Sequence, residues 1–489
     1  MVCKGKLMDK KADIGLIGLA VMGQNLVLNL SDHGFSVSVF NRTFEKTKEF
    51  LDKGAKGRQI FGFEQMKDFV ASLAKPRKII LLVKAGSAVT DTINEVLPFL
   101  EKGDIIIDGG NSYFKDTQKR FNDLEAKGYH YIGMGVSGGE EGARFGPSLM
   151  PGGTPEAYKM IEPMMTKVAA KFDNEPCVTF IGHDGAGHYT KMVHNGIEYG
   201  DIEIIAESYE LLKAYGLDNS AMAKVFEDYN SPKRPLKSFL IEIMAKVLHY
   251  KENGKEMIDY VNDVAGQKGT GKWTAQEALD LSVDAGVITQ AVFARCLSAN
   301  KPERMKASKL FKKTLDKPHY SKEEIIKKLE GALYVAKIVS YTQGFILLRD
   351  AAKAYSWTLD YGKIASIWRQ GCIIRSDFLD EITKAFNQSK NLESLIMAPF
   401  FQKAIQDHLR DLRDVVKESV SMGIATPCLS TALAFLDGYT TEKGVGTVIQ
   451  ALRDAFGSHQ VELTSKPGEY VHINWLGSKF DVASTHYNR

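Results

Sequence analysis

An ammonium, an imidazole, an amide and a carboxylate recur at helical spacing in one short stretch of the chain: Lys191, His194, Asn195 and Glu198. Positions i, i+3, i+4 and i+7 of a helix lie along one stripe, so the four side chains share a face. Val193, Ile197 and Ile204 fall on a different stripe suited to a core, while Ile202 and Ile205 close the polar stripe beyond Glu198. A solvated face with a lysine–glutamate pair would show the same spacing. The glycine-rich loops upstream favour an active site, with all four polar groups presented together at the start of a largely apolar helix.

The elements that must position this stripe begin near the N-terminus. Residues 13–18 read as a short buried strand entering the turn Gly18-Leu19-Ala20-Val21-Met22-Gly23. A helical pattern follows, then a second strand at 36–40 that ends in Asn41-Arg42-Thr43. This is a βαβ unit with a dinucleotide fingerprint. Gly18 allows the tight turn, the small Ala20 lets the backbone approach a pyrophosphate, and Gly23 permits close helix–strand packing. The helix N-terminus supplies amides and a positive dipole. An Asp or Glu at the end of the second strand would suit the ribose of NAD. The guanidinium and hydroxyl found there suit a 2′-phosphate, which favours NADP.

Further strands are expected at 79–83, 104–108 and 129–133, each running into a polar or glycine-rich loop: Lys84-Ala85-Gly86, Gly109-Gly110-Asn111-Ser112 and Val136-Ser137-Gly138-Gly139-Glu140. Ligands of open α/β sheets bind outside the carboxyl ends of the strands, where these loops lie. A last strand is expected at 177–182, before Asp184-Gly185-Ala186-Gly187. From His188 onward long helices dominate. Two stretches, 213–218 and 353–360, each follow an amphipathic helix and lead to a short helix and a Ser-x-Phe-like start, which suggests a duplicated helical unit. Between them Gly266-Gln267-Lys268-Gly269-Thr270-Gly271-Lys272-Trp273-Thr274 is dense in anion-binding groups. It lacks the residue order of an NTPase loop. Arg295 lies inside an apolar helical pattern and needs a partner if buried: a bound phosphate or a salt bridge. After about residue 440 the chain has too little contiguous apolar content for its own core, so this tail must pack on its own chain or on a second subunit.

The expected organisation is a Rossmann-like α/β domain at 1–187, an all-helical domain at 188–440 and a tail at 441–489. With 489 residues the chain exceeds what one hydrophobic core serves. A net charge of +3 calls for no nucleic acid. The five cysteines (Cys3, Cys177, Cys296, Cys372, Cys428) have neither metal-ligand nor disulfide-framework spacing, which favours free thiols in a reducing compartment. The N-terminal Met-Val-Cys-Lys-Gly-Lys has no apolar targeting core, and no apolar run is expected to span a bilayer. A cytoplasmic protein without membrane or nucleic-acid partners is the expectation.

Taken together, these stretches resemble the decarboxylating 6-phosphogluconate dehydrogenase family over essentially the whole chain. The strings carrying the resemblance are the Gly-Leu-Ala-x-Met-Gly fingerprint, Asn41-Arg42-Thr43, residues 136–143, 191–201 and 266–274, and the segment from Arg453 to His459. The resemblance implies oxidation of 6-phosphogluconate at carbon 3 with NADP, loss of carbon dioxide, and release of ribulose 5-phosphate. It also implies a homodimer in which the tail completes the neighbouring active site. Residue by residue, it makes Lys191 the general base and Glu198 the acid that protonates the enediol at carbon 1. Lys191 must then be neutral, which requires a lowered pKa. Asn111, Ser137, Gly138, Gly139, His194 and Asn195 would hold the sugar-acid end of the substrate. Tyr199, Lys268, Thr270 and Arg295 would hold its phosphate, joined by Arg453 and His459 of the neighbouring subunit. Gly18, Leu19, Ala20, Val21, Met22, Gly23, Asn41, Arg42, Thr43, Val83, Lys84, Ala85 and Asn111 would hold the coenzyme. No metal is implied, because the ketone formed by oxidation is itself the electron sink for decarboxylation.

Residues 229–235 (Tyr-Asn-Ser-Pro-Lys-Arg-Pro) and 282–286 depart from the family's usual pattern without touching a proposed catalytic group. Two other readings remain open on sequence. An NADP-dependent dehydrogenase of an unphosphorylated β-hydroxyacid would share the fingerprint, the serine–glycine loop and the lysine, but would leave the second helical unit, the 266–274 loop and the tail unexplained. A catalytically silent NADP-binding sensor or scaffold would not need both Lys191 and Glu198.

Overall fold

The computed structural model describes residues 11–311 and 316–477; Cys3 and the polar N-terminal segment lie outside the described residues. The chain divides into two compact units, Met1–Leu433 and Ala434–Arg489.

In the first unit, strands β1 (Ile14–Ile17), β2 (Val37–Phe40), β3 (Ile60–Phe63), β4 (Lys78–Leu81), β5 (Ile105–Asp108), β6 (His130–Val136) and β7 (Leu149–Gly152) form one sheet in the order β3-β2-β1-β4-β5-β6-β7. All neighbours are parallel except β7, which runs antiparallel to β6. Helices α1 (Val21–Asp32), α2 (Phe44–Lys53), α3 (Met66–Ala71), α4 (Ser87–Val96), α5 (Phe114–Glu125), α6 (Gly139–Phe145) and α7 (Pro155–Val168) connect the strands. Alternation within the strands feeds two cores. Ile14, Leu16, Val39, Ile80 and Ile107 join one with Leu26 and Leu30 of α1, and Ile17, Ile79, Leu81 and Ile106 join the other with Phe69 and Ile93. Chain order reverses between β1 and β4, so the loops after β1, β2, β4 and β5 gather at a topological switch point.

The strand expected at 177–182 is not continuous. Val178 and Gly182 form isolated parallel bridges with Leu149 and Gly152. Between them lies Pro151, which accepts from Ile181 N but has no N–H to donate. Strands β3 and β7 were not expected from the pattern.

The helical part comprises α8 (Ala186–Ala214), α9 (Asn219–Tyr229), α10 (Phe239–His249), α11 (Thr270–Asp280), α12 (Gly286–Ala299), α13 (Lys301–Leu310), α14 (Lys322–Ala354), α15 (Tyr361–Ile367), α16 (Phe378–Gln388), α17 (Pro399–Ser421) and α18 (Pro427–Tyr439). The duplication is visible in the caps. Asp218 accepts from Ala221 N at the start of α9, and Asp360 accepts from Lys363 N at the start of α15. The two repeats meet at an antiparallel bridge between Ser238 and Ser376, just before α10 and α16. Helices α8 and α14 pack antiparallel, since Ile197 meets Gly344 and Ser340 meets Gly200. Contrary to the sequence expectation, α14 is long and apolar enough to cross a bilayer; its apolar window is wholly buried inside the protein, as befits a core helix.

The 187/188 boundary falls in the first turns of α8, which lies directly on the sheet. A Cβ on Gly135 of β6 would sit 2.5 Å from Lys191 Cβ. Bare backbone at that point of the strand lets α8 approach and carries its polar stripe to the carboxyl end of β6. In the second unit, α19 (Gly446–Gly457) leads to a short antiparallel pair, Val461–Glu462 with Tyr470–Val471.

Candidate active site

Ser137 directly follows β6 and faces the stripe of α8. Lys191 Nζ donates to Ser137 Oγ at 3.0 Å, and Ser137 Oγ lies 3.2 Å from His194 Nε2. His194 Nδ1 lies 3.1 Å from Asn195 Oδ1, and Asn195 Nδ2 donates to Thr270 Oγ1 at 3.2 Å. Nδ1 also lies 3.3 Å from Lys191 Nζ, and burial beside that ammonium keeps the imidazole neutral. The result is a continuous chain, Lys191–Ser137–His194–Asn195–Thr270, that ties the β6 loop to the 266–274 loop. All five residues are buried. Glu198 lies one turn beyond His194, its Oε2 4.0 Å from Nδ1, and its side chain is about a fifth exposed.

Burial pushes Lys191 down to about 8, opposed by the charges of Glu198 and Cys372. Burial also holds His194 well below the usual histidine range, assisted by Lys191. The Glu198 carboxyl is raised, again by burial, against the pull of Lys191 and Arg295. One face of one helix thus carries a lysine made easier to deprotonate and a carboxylic acid made easier to keep protonated. A proton can be taken at one end of the stripe and delivered at the other.

The 266–274 loop enters α11 through Gly269, which has φ +109°. A Cβ on Gly271 would collide with the Tyr199 ring, and the Arg295 guanidinium stacks on that ring 3.5 Å from its centroid. Arg295 Nη1 donates to Gly266 O at 3.2 Å. Tyr199, Thr270 and Arg295 are therefore brought together beside the α11 N-terminus, with Lys268 exposed on the loop that leads there. Arg295 has partners here without any bound anion: a ring and a carbonyl.

The coenzyme features assemble at the switch point. Gly18 has φ +106°, and a Cβ there would sit 2.4 Å from Leu82 O; a Cβ on Gly23 would overlap Gly18 O. Ala20 caps α1 with no side-chain bond, leaving the first-turn amides free for an anion. Asn41 Oδ1 accepts from Leu19 N at 3.1 Å, which pins the turn to the end of β2. Arg42 and Thr43 are exposed beside it, with no carboxylate in that position. Val21 is exposed, Met22 rests against the sheet core, and Val83, Lys84 and Ala85 follow β4. The exposed Asn111 sits in a loop folded by Asp108, which accepts from Gly110 N and Ser112 Oγ. A dinucleotide with a 2′-phosphate fits this cradle. Gly138, with φ +107°, caps α6, and Gly139 begins it.

Arg453 lies in α19 and His459 in the turn after it, both in the second unit, where Gln450 links them. Sequence reasoning missed Trp368, which meets the His194 ring edge-to-face at 5.5 Å, and the role of Thr274, whose hydroxyl donates to Met192 O. Trp368 is remote in sequence and sits in an ordinary apolar pattern, so nothing local marks it. Among the described residues no cluster of three or more His, Cys, Asp or Glu is arranged to hold a metal ion.

Known proteins match over the same regions. The family model for the NAD-binding domain of 6-phosphogluconate dehydrogenase matches residues 13–182, and the model for that enzyme's C-terminal domain matches residues 187–475. The decarboxylating 6-phosphogluconate dehydrogenase of Rattus norvegicus is 52% identical over 98% of this chain and 99% of its own. That of Homo sapiens is 51% identical over the same shares. The solved 6-phosphogluconate dehydrogenase of Plasmodium falciparum, described in apo form and with NADP+ or 6-phosphogluconate, is 42% identical. The match covers 95% of this chain and 100% of that one, with a TM-score of 0.91.

Proposed function

The chain belongs to the 6-phosphogluconate dehydrogenase family, and from that premise we propose how its residues divide the reaction. The reaction is oxidation and decarboxylation of 6-phosphogluconate to ribulose 5-phosphate and carbon dioxide, with reduction of NADP. Lys191 Nζ takes the proton of the hydroxyl at carbon 3, and Ser137 and His194 hold that oxygen and the neighbouring sugar-acid oxygens. NADP, when bound, supplies the hydride acceptor. The β-keto acid so formed loses carbon dioxide, its own ketone receiving the electron pair, while Lys191 returns a proton to the carbonyl oxygen. Glu198 then delivers a proton to carbon 1 of the enediol while Lys191 takes back the hydroxyl proton at carbon 2, giving the ketose. Asn111, Gly138 and Gly139 line the carboxylate end, and Tyr199, Lys268, Thr270 and Arg295 the phosphate end. The opposed pKa shifts of Lys191 and Glu198 on one stripe carry this division of labour.

The active unit is a cytoplasmic homodimer in which Arg453 and His459 of each tail complete the phosphate site of the neighbour. Two exposed apolar surfaces support a partner: Phe293 and Leu297 of α12, and Val448, Ile449, Leu452 and Phe456 of α19.

The decisive experiment follows reduced-coenzyme absorbance and carbon dioxide release with 6-phosphogluconate and either NADP or NAD. Matching reduction and release with NADP, both abolished in Lys191→Ala while NADP still binds, is the expected result. Near-normal turnover in that variant would overturn the base assignment.

A further inference from the structure

The turn that follows α19 is held in an unfavourable shape. Ser458 and Gln460, on either side of His459, have φ of +52° and +60°. Neither is glycine, so surrounding contacts must impose the conformation. Two side chains of α19 do so. Gln450 Nε2 donates to His459 O at 3.2 Å and to Gln460 O at 2.6 Å. Asp454 Oδ1 accepts from Gln460 N at 2.8 Å, and Asp454 O accepts from Ser458 N at 2.8 Å. Asp454 is fully buried in an otherwise largely exposed segment. It also accepts from His472 Nδ1, Ile473 N and Trp475 Nε1, so the returning chain locks the same turn.

The other end of the Gln450 amide is equally engaged: Oε1 accepts from Arg453 Nη1 at 3.0 Å. One amide therefore ties the guanidinium of Arg453 to the backbone of His459. Packing orients the imidazole as well, since a Cβ on Gly457 would fall 2.7 Å from both Cδ2 and Nε2 of His459. Helical spacing makes this possible: 450, 453 and 454 stand at i, i+3 and i+4 on one side of α19.

We infer that Gln450 is a positioning residue that presents Arg453 and His459 as one preassembled unit for the substrate's phosphate dianion, pinned from beneath by Asp454. This rests on the reading of Arg453 and His459 as phosphate-binding residues. A free arginine side chain must be ordered when it binds; one already held by Gln450 has met that cost during folding. The phosphate is remote from the reacting carbon, so the gain belongs to substrate binding and is read in KM.

The test replaces Gln450 by methionine, of similar length and helix propensity but with no matching donor or acceptor. In full-length Gln450→Met the KM for 6-phosphogluconate rises about tenfold, the worth of a hydrogen bond to a charged group. The inhibition constant of inorganic phosphate rises in parallel, while kcat and the KM for NADP stay within about twofold. Gly457→Ala, which displaces the imidazole, shows the same pattern. Arg453→Ala is measured alongside. If it leaves the substrate KM unchanged, the reading of the tail as a phosphate site fails. If it raises KM while Gln450→Met does not, the tail reading stands and the preassembly is overturned. Equal losses in kcat, NADP binding and sedimentation mass in Gln450→Met would make Gln450 a merely structural residue and would overturn it too.

Discussion

A lysine can serve as a base near neutrality only if its neutral form is within reach, and burial of Lys191 brings it there at about 8. The cost falls on stability. The folded-state pKa lies below the unfolded value of 10.5, so the unfolded chain binds more protons between pH 8 and 10.5. Stability from this group therefore rises with pH through that window and is at its poorest below it. Lys191→Met should gain on the order of 2 kcal/mol at pH 7, somewhat less than the shift alone implies because the bond to Ser137 is lost. That gain should vanish by pH 10.5, as urea midpoints across the range would show; a gain independent of pH would contradict the burial argument. The same group predicts an acid limb in kcat/KM of the wild-type protein with an apparent pKa near 8, read from initial rates between pH 6 and 9. At the coenzyme end, Arg42→Ala should weaken NADP by roughly ten- to a hundredfold and leave NAD where it was, since only NADP offers the 2′-phosphate. Equal losses for both coenzymes in a binding titration would remove Arg42 from that role.

At the scale of elements, the site depends on how closely α11 lies on α8. A Cβ on Gly196 would meet Thr274 Cγ2, Oγ1 and Cβ at 2.7, 2.9 and 3.0 Å. Gly196→Ala gains roughly 1 kcal/mol in helix propensity, against an overpacking cost of about 1–3 kcal/mol. The net expectation is a modest stability loss with a raised KM for substrate, because Thr270 moves off Asn195; an unchanged KM would show that the α8–α11 contact does not set the substrate loop. What was legible in the sequence follows the same physics. The stripe on α8, the Gly18 turn and the strands β1, β2, β4, β5 and β6 announce themselves through local periodicity and glycine. Strand β7 (Leu-Met-Pro-Gly) hides because it has the composition of a turn, and its proline is tolerated on the last strand of the sheet. The stretch after Cys177 alternates like a strand yet pairs with β7 only at two bridges, because Pro151 interrupts the ladder. Trp368 against His194 and Thr274 against Gly196 are long-range contacts, and no single-sequence pattern encodes such partners.

At the scale of the whole molecule, the first half of α8 joins sheet and loop: Gly135 lets it settle on the sheet at Lys191, and Asn195, one turn further on, reaches Thr270 of the 266–274 loop. The second unit has its own organising node at Asp454 but an apolar helix face that solvent should not keep. If each active site takes its stripe from one subunit and its Arg453 and His459 from the other, two crippled variants can complement. In a hybrid of Lys191→Met and Arg453→Ala chains, one site combines both lesions and the other combines neither. Denaturing the two variants together and refolding them pairs subunits at random, so about half of the dimers are hybrids and roughly a quarter of all sites regain both groups. The mixture should therefore recover about a quarter of wild-type activity at limiting substrate, where Arg453→Ala alone is weak. Were Arg453 to act within its own chain, every site in the mixture would carry one lesion, and its rate would equal the average of the two variants refolded separately.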